Sequence, residues 1–127
     1  MSNSYRDLAI IEDAISIRQL FSKVFTRNNE AVKITEYCSA TDYITKGCPL
    51  HEVIFVDVSM PGLTGIELIQ QCIKEKIYTR ENIPRIVFAT SMSKACEIEI
   101  LISEYPENIF YLPKPYSIQT IKKYLIK

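Results

Sequence analysis

Five side chains in this sequence could together carry metal and phosphoryl chemistry: Glu12, Asp13, Asp57, Thr90 and Lys114. Each follows a short apolar run. Leu8-Ala9-Ile10-Ile11 runs into Glu12-Asp13, Val53-Ile54-Phe55-Val56 into Asp57, Ile86-Val87-Phe88-Ala89 into Thr90, and Ile109-Phe110-Tyr111-Leu112 into Pro113-Lys114-Pro115. Alone, each residue is ordinary, since a strand-end Asp or Thr usually serves a turn or a cap. Together they are not. Two carboxylates ~5 Å apart repel by roughly 3 kcal/mol at an effective dielectric of 20. Three acids brought to one place need either a proton or a cation. A hard divalent ion held by carboxylates, a backbone carbonyl and waters fits Mg²⁺. A metal and a lysine around a free carboxylate make a site for phosphoryl transfer, because both cations offset charge on the transferring oxygens. A hydroxyl such as that of Thr90 suits a phosphoryl oxygen.

The elements that must position these groups alternate along the chain. Ile17, Leu20, Phe21 and Val24 recur on one face of a helix. Val32-Lys33-Ile34 reads as a short strand. Ser39 with Asp42 resembles a capping box for a short helix that stops near Gly47 and Pro49. After Asp57 comes a turn, Ser59-Met60-Pro61-Gly62, and then a T-x-x-E capping box, Thr64 with Glu67, ahead of Ile66, Ile69 and Ile73. Ile98, Leu101, Ile102 and Tyr105 give a fourth helix closed by Pro106. Ser117 caps a fifth, with Ile118, Ile121 and Leu125 inward. Five strand–helix units with apolar strands predict an α/β fold. They form one doubly wound, five-stranded parallel sheet flanked by five helices, flavodoxin-like, over residues 1–127. Pro113 cannot donate to a ladder, so the fifth strand is expected at an edge. Ligands of such sheets bind beyond the carboxyl ends of the strands, at the switch point.

Composition narrows the alternatives. Fifteen basic and fifteen acidic residues give a formal charge of +0, without the basic excess expected of nucleic-acid or anionic-membrane binding. The single His51 rules out an HExxH zinc site, and three glycines cannot build a GxGxxG or P-loop cradle. The four cysteines form no CxxC pair. No apolar run approaches the ~18 residues of a membrane span, and the polar opening MSNSYRD is no leader. A cytoplasmic protein with reduced, mostly packed thiols is expected. Cys38, Cys48, Cys72, Cys96 and His51 read as structural or incidental, and Phe21, Phe25, Phe55 and Phe88 as core.

Ile11-Glu12-Asp13, Val56-Asp57-Val58-Ser59-Met60-Pro61-Gly62, Ala89-Thr90-Ser91 and Tyr111-Leu112-Pro113-Lys114-Pro115 resemble the receiver domain of bacterial two-component response regulators over essentially the whole chain. The resemblance implies that Asp57 accepts a phosphoryl group from a phosphohistidine on a sensor histidine kinase or phosphotransfer protein. It implies Mg²⁺ held by Asp13, Asp57 and the backbone carbonyl of Ser59, with Glu12 acting directly or through water. Lys114 would pair with Asp57 and then with the phosphoryl oxygens, and the Lys114-Pro115 bond would be cis. Thr90 and Tyr111 would be the switch residues. Thr64 stands where the family often has Asp, and Pro113 beside Lys114 is less usual. Thr90, not Ser91, is taken as the switch hydroxyl.

Three expectations go further. Ser59 and Met92, two residues after Asp57 and Thr90, are poorly suited to orient an attacking water, so a phosphorylated form should hydrolyse slowly. Ile100, Tyr111 and Tyr124 suggest a surface for a downstream protein on helix four, strand five and helix five. The expected role is a switch, not a turnover enzyme. The competing readings are a phosphorylation-independent interaction module of the same fold and an aspartyl-nucleophile phosphatase. Ser59 argues against the phosphatase, because the haloacid-dehalogenase type has a second Asp there. Both a stand-alone receiver and the N-terminal receiver of a longer regulator are consistent with the sequence, and its opening reads as a native start.

Overall fold

The computed structural model describes residues 4–27, 31–90 and 96–127. Strands and helices alternate: β1 (Asp7–Ile11), α1 (Ile15–Arg27), β2 (Lys33–Tyr37), α2 (Ala40–Thr45), β3 (Val53–Asp57), α3 (Gly65–Lys74), β4 (Arg85–Thr90), α4 (Cys96–Glu104), β5 (Ile109–Pro113) and α5 (Ile118–Lys123). The strands form one parallel sheet in the order β2-β1-β3-β4-β5. Chain order reverses between β1 and β3, so the crevice of this doubly wound sheet opens above those two strands.

Continuous apolar runs make the central strands because both faces are covered. Alternate residues go to opposite layers. Ala9 and Ile11 of β1 join the core beneath α2, α3 and α4, while Leu8 and Ile10 join the core beneath α1 and α5. Val53 through Asp57 are all buried. Phe21, Phe25 and Phe55 pack edge-on or tilted with centroids 5.1–5.8 Å apart, and Phe88 lies in the opposite layer.

Several helix faces and ends differ from the sequence expectation. α1 buries Phe21, Val24 and Phe25, and Leu20 is 39% exposed. The stripe is rotated because the two phenylalanines fill the space over Phe55. β2 runs on to Tyr37, since it pairs along all of β1, from Asp7↔Lys33 to Ile11↔Tyr37. As an edge strand it tolerates polar Lys33 and Glu36, which hides it from an apolar pattern. Asp42 accepts from the Cys38 N–H, so Ser39 caps α2 without the reciprocal half of the box. Ile118 is 37% exposed, and Leu125 is buried beyond the end of α5. Cys48 and Cys72 are buried but Cys38 and Cys96 are exposed, so only half the thiols are packed. β5 is an edge strand as expected, with Pro113 opposite Thr90.

Candidate functional site

The β1–β3 pairing ends at Ile11↔Val56. The next residue on each strand is an acid, which places Glu12 and Asp57 side by side over the crevice. Carboxylate oxygens of Glu12, Asp13 and Asp57 all lie within 4.8 Å of one another. Asp57 is buried at 5% exposure and Glu12 is more so, while Asp13 is exposed. Glu12 and Asp57 are two buried acids within reach of one another. Burial first, and then the neighbouring Asp57 carboxyl, push the Glu12 carboxyl up to about 8, against the opposing pull of Lys114. An all-oxygen donor set of this spacing suits a hard cation such as Mg²⁺.

Three further features hold Asp57. The Ser59 N–H donates to Asp57 Oδ1 at 3.0 Å. The Val58 N–H donates to Ala89 O at 3.1 Å, tying the turn to β4. The Lys114 ammonium lies 3.9 Å from Asp57 Oδ1. Lys114 is itself placed by its N–H, which donates to Thr90 O at 2.8 Å. The Lys114-Pro115 bond is cis. Thr90 is buried at the end of β4 and so shares the same edge. Tyr111 is half-buried on β5 and packs against the α4-side core. Ser91 and Met92 lie outside the described residues.

α3 completes the crevice. Thr64 accepts from the Glu67 N–H, and Glu67 accepts from the Thr64 N–H, so the expected capping box is present. The helix begins so close to β3 that a Cβ on Gly65 would stand 2.5 Å from Asp57 O and 2.9 Å from Val56 Cγ2.

Two groups at this edge escaped the sequence reading. Neither Arg18 nor Tyr116 belongs to the motifs that mark the strand ends. The Arg18 guanidinium donates to Glu12 O at 2.7 Å and to Asp13 O at 3.1 Å, and it pairs with Glu36 at 3.3 Å. It fixes the backbone that presents both acids. The only signal was its place one turn into α1. Tyr116 follows the cis proline. Its hydroxyl pKa is raised, first by burial and then by the charges of Asp57 and Glu12, which puts the phenol in the field of the acids.

The expected partner surface is mixed. Ile100 is 57% exposed on α4. Tyr124 donates from its hydroxyl to Tyr111 O at 3.1 Å, so it braces α5 on β5. His51 is buried between Tyr37, 2.7 Å from its hydroxyl, and Asp7 at 2.8 Å, a structural place.

Comparison with known proteins agrees with this architecture. The model of the response regulator receiver domain matches residues 8–126. A chemotaxis protein CheY homolog of Campylobacter jejuni is 28% identical over 120 residues, covering 93% of this chain and 88% of that relative. Among solved structures, Vibrio cholerae chemotaxis protein CheY4 superposes with a TM-score of 0.73 at 21% identity, covering 94% of this chain and 95% of that one. A CheY-like receiver domain from Methanospirillum hungatei JF-1 gives 0.72 at 21% identity, covering 94% and 90%. At such identities the structural likeness speaks for the fold. Among the described residues, no helix is long and apolar enough to cross a membrane.

Proposed function

The chain belongs to the response regulator receiver domain family, and from that premise we propose that Asp57 accepts a phosphoryl group from a phosphohistidine of a sensor kinase or phosphotransfer protein. The observation that carries this reading is the buried Asp57 carboxylate facing Lys114 at 3.9 Å with Glu12 and Asp13 beside it. In the transfer the histidine N–P bond breaks and an Asp57 O–P bond forms. The imidazole keeps the electron pair of the broken bond. Glu12, Asp13, Asp57 and the Ser59 carbonyl would hold Mg²⁺, which supplies charge neutralisation to the transferring oxygens when bound. Lys114 offsets the charge on the opposite flank, and the Ser59 N–H orients the attacking carboxylate oxygen.

A phosphorylated Asp57 adds charge and acceptor oxygens within the crevice. Thr90, at the adjoining strand end, would donate to them. Its movement would let Tyr111 turn inward and alter the surface of α4, β5 and α5 that meets a downstream protein. Ile100 is one exposed apolar group of that surface. The protein is thus read as a cytoplasmic switch that promotes its own phosphorylation rather than as a turnover enzyme.

The test is incubation with acetyl phosphate and Mg²⁺ followed by intact mass. Gain of one phosphoryl group, lost in Asp57→Ala, supports the reading. No gain in the intact chain, or an equal gain in the variant, rejects it.

A further inference from the structure

Lysine has a flexible four-carbon stem, and presenting its ammonium at one place needs more than a single ion pair. The Lys114 side chain is 28% exposed, so solvent competes for it. Its ammonium nevertheless has a second neighbour: it lies 5.7 Å from the centroid of the Tyr116 ring. That ring is anchored. It packs edge-on against Phe21 at 5.2 Å and 66°, and Phe21 packs on Phe55 at 5.2 Å. Phe55 stands two residues before Asp57 on β3, on the same face of the strand. The contacts close a circuit from Asp57 through Lys114, Tyr116, Phe21 and Phe55 back to the strand that carries Asp57.

We propose that Tyr116 is a positioning residue, which presents the Lys114 ammonium to Asp57 through the face of its ring. This rests on the reading of Asp57 as phosphoacceptor. The ring is suited to the task by what it lacks. A carboxylate here would hold the lysine but compete for its charge. An aromatic face attracts a cation through its quadrupole and carries no net charge. The ammonium is held in place and stays available to the oxygens on Asp57. Burial and the neighbouring acids keep the phenol protonated, so the ring remains neutral.

The experiment compares Tyr116→Phe, which keeps the face, with Tyr116→Leu, which removes it; Tyr116→Met replaces Leu should that variant not fold. The first readout is the NMR shift of the Lys114 Cε protons, moved upfield by the ring current in the wild type and in the Phe variant but not in the Leu variant. The second is phosphorylation by acetyl phosphate. Its rate should fall about three-fold in the Leu variant, the size of a partly exposed cation–π contact. The Phe variant should keep the wild-type rate, and Mg²⁺ affinity should be unchanged in all. Unaltered Lys114 shifts in the Leu variant, or equal loss of rate in the Phe and Leu variants, overturns the proposal. If the wild type takes no phosphoryl group, the acceptor reading fails while the lysine shifts still decide whether Tyr116 holds Lys114.

Discussion

Glu12 faces Asp57 across the β1–β3 crevice, and burial together with that neighbouring acid raises its carboxyl from an ordinary 4.5 to about 8. The consequence for stability has a definite sign. An unfolded chain loses the Glu12 proton near 4.5 and the folded chain near 8. Between those values the folded state binds more protons, so stability falls as pH rises and levels off above about 8. The stabilisation is complete only below the lower value. Urea denaturation without divalent ions should show this decline, and Glu12→Gln, which cannot ionise, should flatten it. A cation at the site displaces the proton, so apparent Mg²⁺ affinity should climb over the same window. Tyrosine fluorescence titrations at pH 6 and pH 8.5 check it, and equal affinities would contradict the raised Glu12 carboxyl.

Arg18 secures the backbone under both acids of β1. Its guanidinium donates to the carbonyls of Glu12 and Asp13 while pairing with Glu36. Charged hydrogen bonds of this kind contribute about 1.5–3 kcal/mol when well placed. Arg18→Ala should therefore cost stability and also weaken Mg²⁺ binding, because Glu12 and Asp13 lose their fixed presentation. Arg18→Lys should recover only part, since an ammonium cannot span the two carbonyls and Glu36 with the same planar fork. Thermal denaturation and metal titration of the two variants separate these effects.

His51 offers a test of polar burial away from the crevice. With Asp7 accepting from Nδ1–H, Nε2 is left to accept from the Tyr37 hydroxyl, and both bonds are satisfied by the neutral ring. His51→Leu strands the Tyr37 hydroxyl in the core, at about 1–3 kcal/mol. Adding Tyr37→Phe removes the stranded group as well, so the double variant should be more stable than His51→Leu alone. Urea midpoints of the four proteins complete the cycle.

The strand ends were readable because one rule generates them. A strand buried on both faces is an unbroken apolar run, and the first polar residue after it marks the carboxyl edge. That rule located Glu12, Asp57 and Thr90, and the parallel topology brought them together. It had less purchase on α1. Ile17, Leu20, Phe21 and Val24 form an acceptable stripe, yet the stripe that packs includes Phe25, because ring packing on Phe55 sets the rotation of the helix. That rotation also decides where Arg18 points. Tyr116 was hidden for a related reason: its neighbours Phe21 and Lys114 come from separate elements, and their meeting depends on how α1 crosses the sheet. β2 runs past the Val32-Lys33-Ile34 pattern because an edge strand needs no continuous apolar run.

The close approach of α3 to the end of β3 makes a sharp prediction. α3 begins against the end of β3, and a Cβ on Gly65 would meet the Asp57 carbonyl oxygen at 2.5 Å and Val56 Cγ2 at 2.9 Å. The carbonyl is backbone within a central strand, so it cannot rotate away. Thr64 locks the helix start from the other side through its capping box, so the helix cannot slide without breaking those bonds. Gly65→Ala must therefore push α3 and β3 apart, at about 1–3 kcal/mol for an overpacked contact. The displacement falls on Asp57 itself. Mg²⁺ affinity and phosphorylation by acetyl phosphate should drop together with stability. Thr64→Ala frees the helix start at about 1 kcal/mol but leaves the Asp57 carbonyl untouched, so it should lose stability with Mg²⁺ affinity near that of the wild type. If Gly65→Ala were as stable and as tight for Mg²⁺ as the parent, the close approach would not be what sets the position of Asp57.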